Sequence, residues 1–392
     1  MSRTRAEISH AAADAIERGG ERLAGMHAVV GFDAFIDSII HVVGTRRSME
    51  MGGYDRITTI GEFASRAAAA AGKSTNLELV VLEERFGGNG PLMAGALGSL
   101  GAPVTYLGAV GEKGNPGVIH PAYREFAARC RMVIPLAPPA LTDALEFDDG
   151  KIMLGKPANI QSVTWPLVVR TLGLDQVVRL VESSSLLGMV NWVMMAGLEG
   201  IWAGLCEEVF PRVADTRSKR IFIDLCDPAK RTDEDIRRAV ELLGRMNERI
   251  PLMLGLNQAE AERLAAALGV DVFSGSGMGT QGSAVRSAAE AIRSRTGLEG
   301  VVIHPRRGAA AATSSGESAW FDGPFTRKPR LSTGAGDHFN AGFAAGWTLG
   351  LAIEECLAIG CASSGAYVRD AKSPDAGRLV EFLRALPPGE DR

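Results

Sequence analysis

The chain has 392 residues, a formal net charge of -4 and a hydrophobic fraction of 46%, which suits one large α/β domain or two smaller ones. The weakly acidic balance and the lack of a basic stripe argue against nucleic-acid binding. No apolar run reaches the length of a membrane span, so we expect no membrane partner. Five scattered cysteines without metal-ligand spacing, and a charged N-terminus without a signal-peptide pattern, predict a reduced cytoplasmic location.

The first elements place two acids beside each other. Helical spacing is predicted over 4–24, an apolar strand at 27–32 and a second strand at 38–43. Asp33 and Asp37 fall between the two strands. An acidic pair in that position is a candidate ligand contact, and the alternative is a pair of turn carboxylates.

The next part contains a glycine-rich turn and a hairpin. A helix is predicted at 60–72 and a strand at 77–85, and the turn Gly87-Gly88-Asn89-Gly90 then opens a helix at Pro91. A strand at 104–110, a helix at 117–129 and a strand at 131–137 follow. Residues 144–154 predict a hairpin around 148–150, which we interpret as an excursion from the main sheet.

Helices and strands alternate in the second half. Helices are predicted at 173–186, 200–214, 232–248, 257–268 and 283–296, and strands at 191–196, 220–225, 251–256 and 300–304, with a glycine- and serine-rich loop at 275–282. Short strands at 308–313 and 317–321 precede helices at 336–350, 352–369 and 376–386. Such alternation predicts an α/β fold with a mostly parallel sheet flanked by helices on both faces.

The segment 332–343 carries the strongest chemical signal. Gly334, Ala335 and Gly336 allow close approach of a ligand at the start of a predicted helix, where backbone N–H groups bind anions. Asp337 stands at the same point. A carboxylate beside a transferring phosphoryl group is typical of a general base, and the alternative is an aspartate that caps the helix.

A second pair, Asn257 and Glu260, stands three residues apart at a predicted helix start. An amide oxygen and a carboxylate on one face suit a water-mediated Mg²⁺ site near phosphates. The alternative is a capping arrangement. Because ligands bind at the carboxyl ends of strands in doubly wound sheets, we expect these features to converge.

These motifs resemble the ribokinase-like (PfkB) carbohydrate kinase family over nearly the whole chain. The most specific match is Gly334-Ala335-Gly336-Asp337 with Phe339, Asn340 and Gly342. The segment from Gly87-Gly88-Asn89 to Gly111 resembles the family's N-terminal signature, and Asn257-x-x-Glu260 resembles its Mg²⁺/phosphate motif.

The resemblance implies a ribokinase-like single domain over 1–392, with a small β lid formed by strands inserted at about 38–43, 77–86 and 144–162. It also implies a base, Asp337, beside an anion hole formed by Gly334, Ala335 and Gly336. The implied contacts to ATP and, through water, to Mg²⁺ are Asn257 and Glu260, with His304, Gly308, Ser332 and Thr333 as further nucleotide contacts. The implied contacts to sugar hydroxyls are Asp37, Asp33, Gly88 and Asn89.

Three positions depart from the family pattern. Leu331 stands where the family usually has an aspartate, and Leu92 where it often has a second asparagine that touches the sugar. The segment 304–308 replaces a threonine-containing turn.

From the motifs and the resemblance together, we expect an ATP- and Mg²⁺-dependent kinase for a small sugar or sugar-like substrate. A nucleoside kinase, an ADP-dependent sugar kinase and a non-catalytic ligand-binding homologue are the alternatives, and pairing of lid strands predicts a homodimer.

Overall fold

The computed structural model describes residues 3–273 and 281–390. Its strands are β1 (Ala28–Phe32), β2 (Phe35–Arg46), β3 (Tyr54–Arg56), β4 (Leu79–Gly87), β5 (Val104–Gly108), β6 (Gly111–Glu112), β7 (Asn115–Ile119), β8 (Met132–Pro135), β9 (Ala140–Phe147), β10 (Gly150–Lys156), β11 (Leu186–Val190), β12 (Arg220–Asp224), β13 (Leu252–Leu256), β14 (Gly300–Ile303), β15 (Gly308–Thr313) and β16 (Ser318–Asp322).

The α-helices alternate with these strands through most of the chain. They are α1 (Arg5–Arg18), α2 (Gly20–Gly25), α3 (Ile60–Ala68), α4 (Asn89–Ser99), α5 (Arg124–Ala127), α6 (Trp165–Leu172), α7 (Leu174–Ser183), α8 (Leu198–Gly204), α9 (Asp233–Arg249), α10 (Gln258–Leu268), α11 (Gln281–Thr296), α12 (Ala335–Thr348), α13 (Ile353–Asp370) and α14 (Ala376–Arg384). No helix in the described ranges is long and apolar enough to cross a membrane.

The main sheet has the order β16-β15-β14-β13-β12-β11-β1-β5-β8. The seven strands from β14 to β8 are parallel to their neighbours, and β15 and β16 add to one edge in antiparallel pairs. Strands β11, β13 and β14 are buried at every residue, which is why their sequences are continuous apolar runs instead of alternating ones. The predicted mostly parallel α/β sheet is confirmed.

A second sheet leaves the main one at β2. Strand β2 pairs with β9, β4 and β3, and β9 forms the predicted hairpin with β10. One face of this sheet is covered by α3 through a small apolar cluster: Ile40, Val42, Ile57, Leu145 and Phe147, with Ile60, Phe63 and Ile152 at its margin. Residues Pro157–Ser162, which the prediction included in the third lid segment, form a 3₁₀ helix instead of a strand.

Two other local predictions were wrong. The strand expected at 191–196 lies at Leu186–Val190, because the preceding helix stops at Ser183 and the buried run pairs between β1 and β12. The helix expected at 117–129 is short, because Asn115–Ile119 pairs with Gly111–Glu112 as a small hairpin before it. Most of the loop expected at 275–282 lies outside the described residues.

Candidate active site

Five adjacent parallel strands end at the same edge of the main sheet, and each delivers one polar residue there. Asp33 follows β1, Asn191 follows β11, Asp224 ends β12, Asn257 follows β13 and His304 follows β14. Parallel strands place their carboxyl ends side by side, so polar groups far apart in sequence meet at one crevice. This edge is the candidate active site.

Asp337 lies over this edge in the first turn of α12. The residue that precedes the helix is Gly334, whose φ of 89° is a left-handed conformation that favours glycine. The Asp337 side chain is 5% exposed, and its Oδ1 accepts a 2.9 Å hydrogen bond from Nδ2 of Asn89. Burial, followed by the nearby charge of Asp224, raises the pKa of the Asp337 carboxyl well above its ordinary value, while the bond from Asn89 opposes that rise.

Asp33 organises the start of α4. Its Oδ2 accepts hydrogen bonds from the backbone N of Asn89 at 3.0 Å and from Nδ2 of Asn191 at 2.7 Å, and its Oδ1 accepts from the backbone N of Gly90 at 2.8 Å. Burial raises the pKa of this fully buried carboxyl to about 6. The geometry therefore does not favour the direct sugar contact expected of Asp33, because its oxygens already hold the helix start that carries Asn89.

Asp224 is a further acid at this edge, and it was not among the site residues predicted from the sequence. It is 6% exposed, and its oxygens accept hydrogen bonds from Nδ2 of Asn340 at 2.6 Å and from the backbone N of Cys226 at 2.7 Å. After burial, its charge is the next cause that raises the pKa of both Glu260 and Asp337. The available signal was the same as for Asp33: a lone carboxylate where an apolar strand ends.

Asn257 and Glu260 form a reciprocal cap at the start of α10. Oδ1 of Asn257 accepts from the backbone N of Glu260 at 3.0 Å, and Oε2 of Glu260 accepts from the backbone N of Asn257 at 2.7 Å. The capping alternative is therefore present in the structure. Asn257 also lines the cavity described below. The buried carboxyl of Glu260 has its pKa raised by the nearby charge of Asp224 in addition to burial.

The oxygen-bearing side chains at this edge suit an Mg²⁺ ion that keeps water and phosphate oxygens among its ligands. They do not suit a metal bound by protein side chains alone. Asp224, Glu260 and Asp337 are all buried, and burial followed by the charge of Asp224 raises the pKa of both Glu260 and Asp337. No group of three histidine, cysteine or acidic side chains within residues 3–273 and 281–390 is arranged to hold a metal ion by itself. Mg²⁺ commonly binds through one or two carboxylates together with phosphate oxygens and water.

A cavity of about 730 Å³ adjoins the glycine loop that precedes α12. Five of the residues predicted to contact the nucleotide line it: Asn257, His304, Gly308, Ser332 and Thr333. Ala335 and Gly336 of the predicted anion hole line it as well. The ring of His304 packs against Phe339 with centroids 4.6 Å apart, and burial lowers its pKa. Residues predicted from three separate segments of the sequence, at 257, 304–308 and 332–336, therefore line the same large cavity.

The second sheet adjoins the site where β2 and β4 meet the start of α4. Asp37 lies on β2, half-buried, and burial raises the pKa of its carboxyl while a hydrogen bond with Thr142 opposes the rise. A Cβ at Gly87 would lie 2.6 Å from Oδ2 of Asp37, and one at Gly88, whose φ is 100°, would lie 2.8 Å from Cα of Ala34. Glycine is thus required at position 88, where β4 turns into α4, and the close approach at Gly87 leaves Asp37 beside the helix start.

Comparison with solved structures identifies the fold. A ribokinase from Arabidopsis thaliana complexed with ribose and ATP has a TM-score of 0.62 and 18% identity, and covers 92% of this chain and 99% of that chain. A ribokinase from Cryptococcus neoformans in complex with ADP has a TM-score of 0.60 and 16% identity, covering 91% and 99%. These likenesses confirm the ribokinase-like fold that the motifs predicted.

The sequence comparisons identify the family within that fold. The model of the prokaryotic ketohexokinase family matches residues 5–385. The ketohexokinase of Haloferax volcanii is 30% identical over 364 residues, which is 92% of this chain and 92% of that protein. The chain belongs to the prokaryotic ketohexokinase family, and it is a phosphotransferase of the sugar-kinase type.

Proposed function

We propose that the protein transfers the terminal phosphoryl group of ATP, with Mg²⁺, to a hydroxyl group of a ketohexose. The sugar class comes from the name of its Haloferax volcanii relative, and the nucleotide from the ribokinases that hold ATP or ADP. The observation that carries the proposal is the position of Asp337: a buried carboxylate in the helix turn that also presents Gly336 to the large cavity.

Asp337 is proposed to accept the proton of the attacking hydroxyl. Burial and the Asp224 charge raise the proton affinity of its carboxyl, which brings that carboxyl closer to what a general base needs. Asn89 holds the carboxylate from the acceptor side at 2.9 Å. The backbone N–H groups of Gly334, Ala335 and Gly336 are proposed to stabilise the charge that develops on the phosphoryl group.

The large cavity is the proposed nucleotide site. Its lining combines Asn257, Ser332 and Thr333 with two arginines, Arg306 and Arg327, whose positive charges suit a polyphosphate. Mg²⁺ would neutralise phosphate charge during transfer. Asn257 and Glu260 are proposed to hold it through water.

On the acceptor side, Asp37, Gly88 and Asn89 are the proposed sugar contacts, and the second sheet is the proposed lid. The carboxylate of Asp37 suits recognition of sugar hydroxyls, since ionised oxygens accept strong hydrogen bonds. Asp33 is proposed to position Asn89, because its oxygens accept hydrogen bonds from the backbone N of Asn89, the backbone N of Gly90 and Nδ2 of Asn191.

The test is Asp337→Asn, which keeps shape and removes the base. We expect kcat with fructose and ATP to fall by about three orders of magnitude, while nucleotide affinity changes little. Asp271→Asn is the matched control, because Asp271 is exposed and lies outside the cavity lining. Unchanged turnover in Asp337→Asn would overturn the assignment of the base.

Substrate and donor are tested with the wild-type enzyme. Ketohexoses, aldoses and nucleosides are each assayed with ATP and with ADP as donor. Turnover confined to ADP, or to nucleosides, would replace the proposal by the corresponding alternative. No turnover with any pair, together with a thermal shift on adding sugar, would favour a ligand-binding homologue.

We also propose a homodimer formed through the second sheet. Its outer strands β4 and β10 carry exposed apolar side chains: Val81, Leu82, Met153 and Leu154. Exposed edge strands of this kind favour pairing with another chain. Light scattering should give the mass of a dimer for the wild type and of a monomer for Leu82→Glu, and a monomeric wild type would refute the pairing.

A further inference from the structure

Two neighbouring carbonyl groups in the glycine loop are each held by an aromatic side chain. The hydroxyl of Tyr367 donates to the carbonyl oxygen of Thr333 at 2.8 Å. Nδ1 of His338 lies 2.7 Å from the carbonyl oxygen of Gly334. A carbonyl oxygen only accepts, so the proton of the neutral imidazole is on Nδ1, and Nε2 accepts from the hydroxyl of Ser373 at 2.8 Å.

The two aromatic rings also hold each other. His338 and Tyr367 are stacked with centroids 3.6 Å apart and an interplanar angle of 15°. His338 is 1% exposed, and burial lowers its pKa to about 4. The imidazole is therefore neutral over the usual working range of pH, and its hydrogen-bond pattern does not change there.

Fixing these carbonyls fixes the N–H groups on the far side of the same peptide planes. In a trans peptide the C=O and N–H bonds point in opposite directions. The bond from Tyr367 therefore sets the direction of the Gly334 N–H. The Gly334 carbonyl accepts from the backbone N of His338 at 3.1 Å as well as from Nδ1 of the same residue, and the two bonds together set the direction of the Ala335 N–H. The Ala335 N–H donates to the Ser332 carbonyl over a long 3.3 Å, which leaves that donor weakly engaged.

We propose that His338 and Tyr367 are positioning residues that aim the backbone donors of the anion hole at the transferring phosphoryl group. The inference rests on the proposed function, because it concerns the donors that the kinase reaction would use. Neither side chain is assigned a contact with substrate. Their effect is to remove the freedom of two peptide planes before the reaction begins, which is where preorganised donors gain their value.

Three variants separate orientation from packing. Tyr367→Phe keeps the stacked ring and removes the bond to Thr333. His338→Asn places an amide nitrogen where Nδ1 was and retains a donor for Gly334, whereas His338→Gln places its amide nearer the position of Nε2 and Ser373. His10→Asn is the matched control for the histidine variants, since His10 is exposed on α1.

We expect Tyr367→Phe and His338→Gln to lower kcat by about tenfold or more, with the KM values for sugar and ATP within about threefold. His338→Asn should recover most of the loss. A role in packing alone would lower the melting temperature and leave kcat unchanged, and would give no difference in kcat between the asparagine and glutamine variants at equal fold stability.

A second readout does not need the sugar. ADP with Mg²⁺ and aluminium fluoride mimics the transferring phosphoryl group, and calorimetry compares its affinity with that of ADP and Mg²⁺ alone. We expect aluminium fluoride to tighten binding by at least about tenfold in the wild type and much less in Tyr367→Phe and His338→Gln. No gain in the wild type, or an equal gain in these variants, would overturn the inference.

The two proposals fail in different ways. If no sugar supports turnover but the aluminium fluoride gain depends on Tyr367 and His338, the proposed substrate is wrong and the anion-hole inference stands. If fructose is phosphorylated normally by both variants, the proposed function stands and the inference falls. Should either variant fail to fold, the other decides the outcome.

Discussion

Asn89 offers the sharpest test of the site, because its side chain acts on the proposed base through one hydrogen bond. Nδ2 of Asn89 donates to Oδ1 of Asp337 at 2.9 Å, and this bond lowers the pKa of the Asp337 carboxyl against the effects of burial and Asp224. Asn89→Ala removes that donor. Its backbone N still donates to Asp33, so the start of α4 is retained.

A hydrogen bond to a charged group contributes about 1.5–3 kcal/mol. At about 1.4 kcal/mol per pKa unit, its loss should raise the pKa of Asp337 by roughly one to two units. The sign follows directly: with a higher pKa, less of the base is ionised at a given pH, so activity on the acidic side falls. Well above the new pKa the base is ionised again, and kcat should return to within a few-fold of wild type.

The assay is log kcat against pH from about 5.5 to 9.5, measured by coupled detection of ADP. The acidic limb should move to higher pH by about one to two units in Asn89→Ala and remain in place in Asn115→Ala. Asn115 is the control because it is exposed on the small β7 hairpin. A uniform loss at every pH, or a rise only in the KM for sugar, would refute the effect on the base and favour direct contact with the sugar.

Three further predictions concern the other buried acids. Asp224→Asn removes a charge that raises the pKa of Asp337, so the acidic limb should move to lower pH, and an unmoved limb would contradict this coupling. Glutamine can also form the reciprocal cap with Asn257, so Glu260→Gln should change the melting temperature little. The Mg²⁺ concentration for half-maximal activity should rise. A lower melting temperature with an unchanged Mg²⁺ requirement would show that Glu260 acts only as a cap. Burial raises the pKa of Asp33 from 3.8 to about 6, so its contribution to stability is present below about pH 4 and is lost as pH rises through 6. The free energy of unfolding of wild type minus that of Asp33→Asn should therefore fall by about 2–3 kcal/mol between pH 4 and 7, measured in urea; a constant difference would show that Asp33 does not titrate in this way.

Local signals in the sequence were sufficient for the overall class of fold. Apolar runs at 221–223, 252–256 and 300–303 predicted buried parallel strands, and the alternation with helices predicted a layered sheet. Gly87, Gly88 and Gly334 marked turns that the structure makes at positive φ or at close approach. Such signals survive because they depend on near neighbours in the chain.

Element boundaries were less well determined. Residues 173–196 contain apolar positions compatible with either a helix or a strand, and only pairing of Leu186–Val190 between β1 and β12 placed the strand. The capping bonds of Asn257 and Glu260 were foreseen as an alternative, and the structure shows that they occur while Asn257 also lines the large cavity. A cap and a ligand site use the same residue types at the same spacing, so the sequence could not separate them.

The sequence by itself located the segments that are proposed to carry the chemistry: the glycine loop, Asp337 and Asn257. Only the tertiary structure decided how they are held. Asp33 and Asn89 are distant in sequence from Asp337, yet they control its surroundings through bonds across the sheet edge. The stacked pair of His338 and Tyr367 likewise depends on α12 and α13 packing side by side. Motifs follow from local spacing, whereas burial, charge coupling and the direction of a peptide plane depend on which elements meet in space.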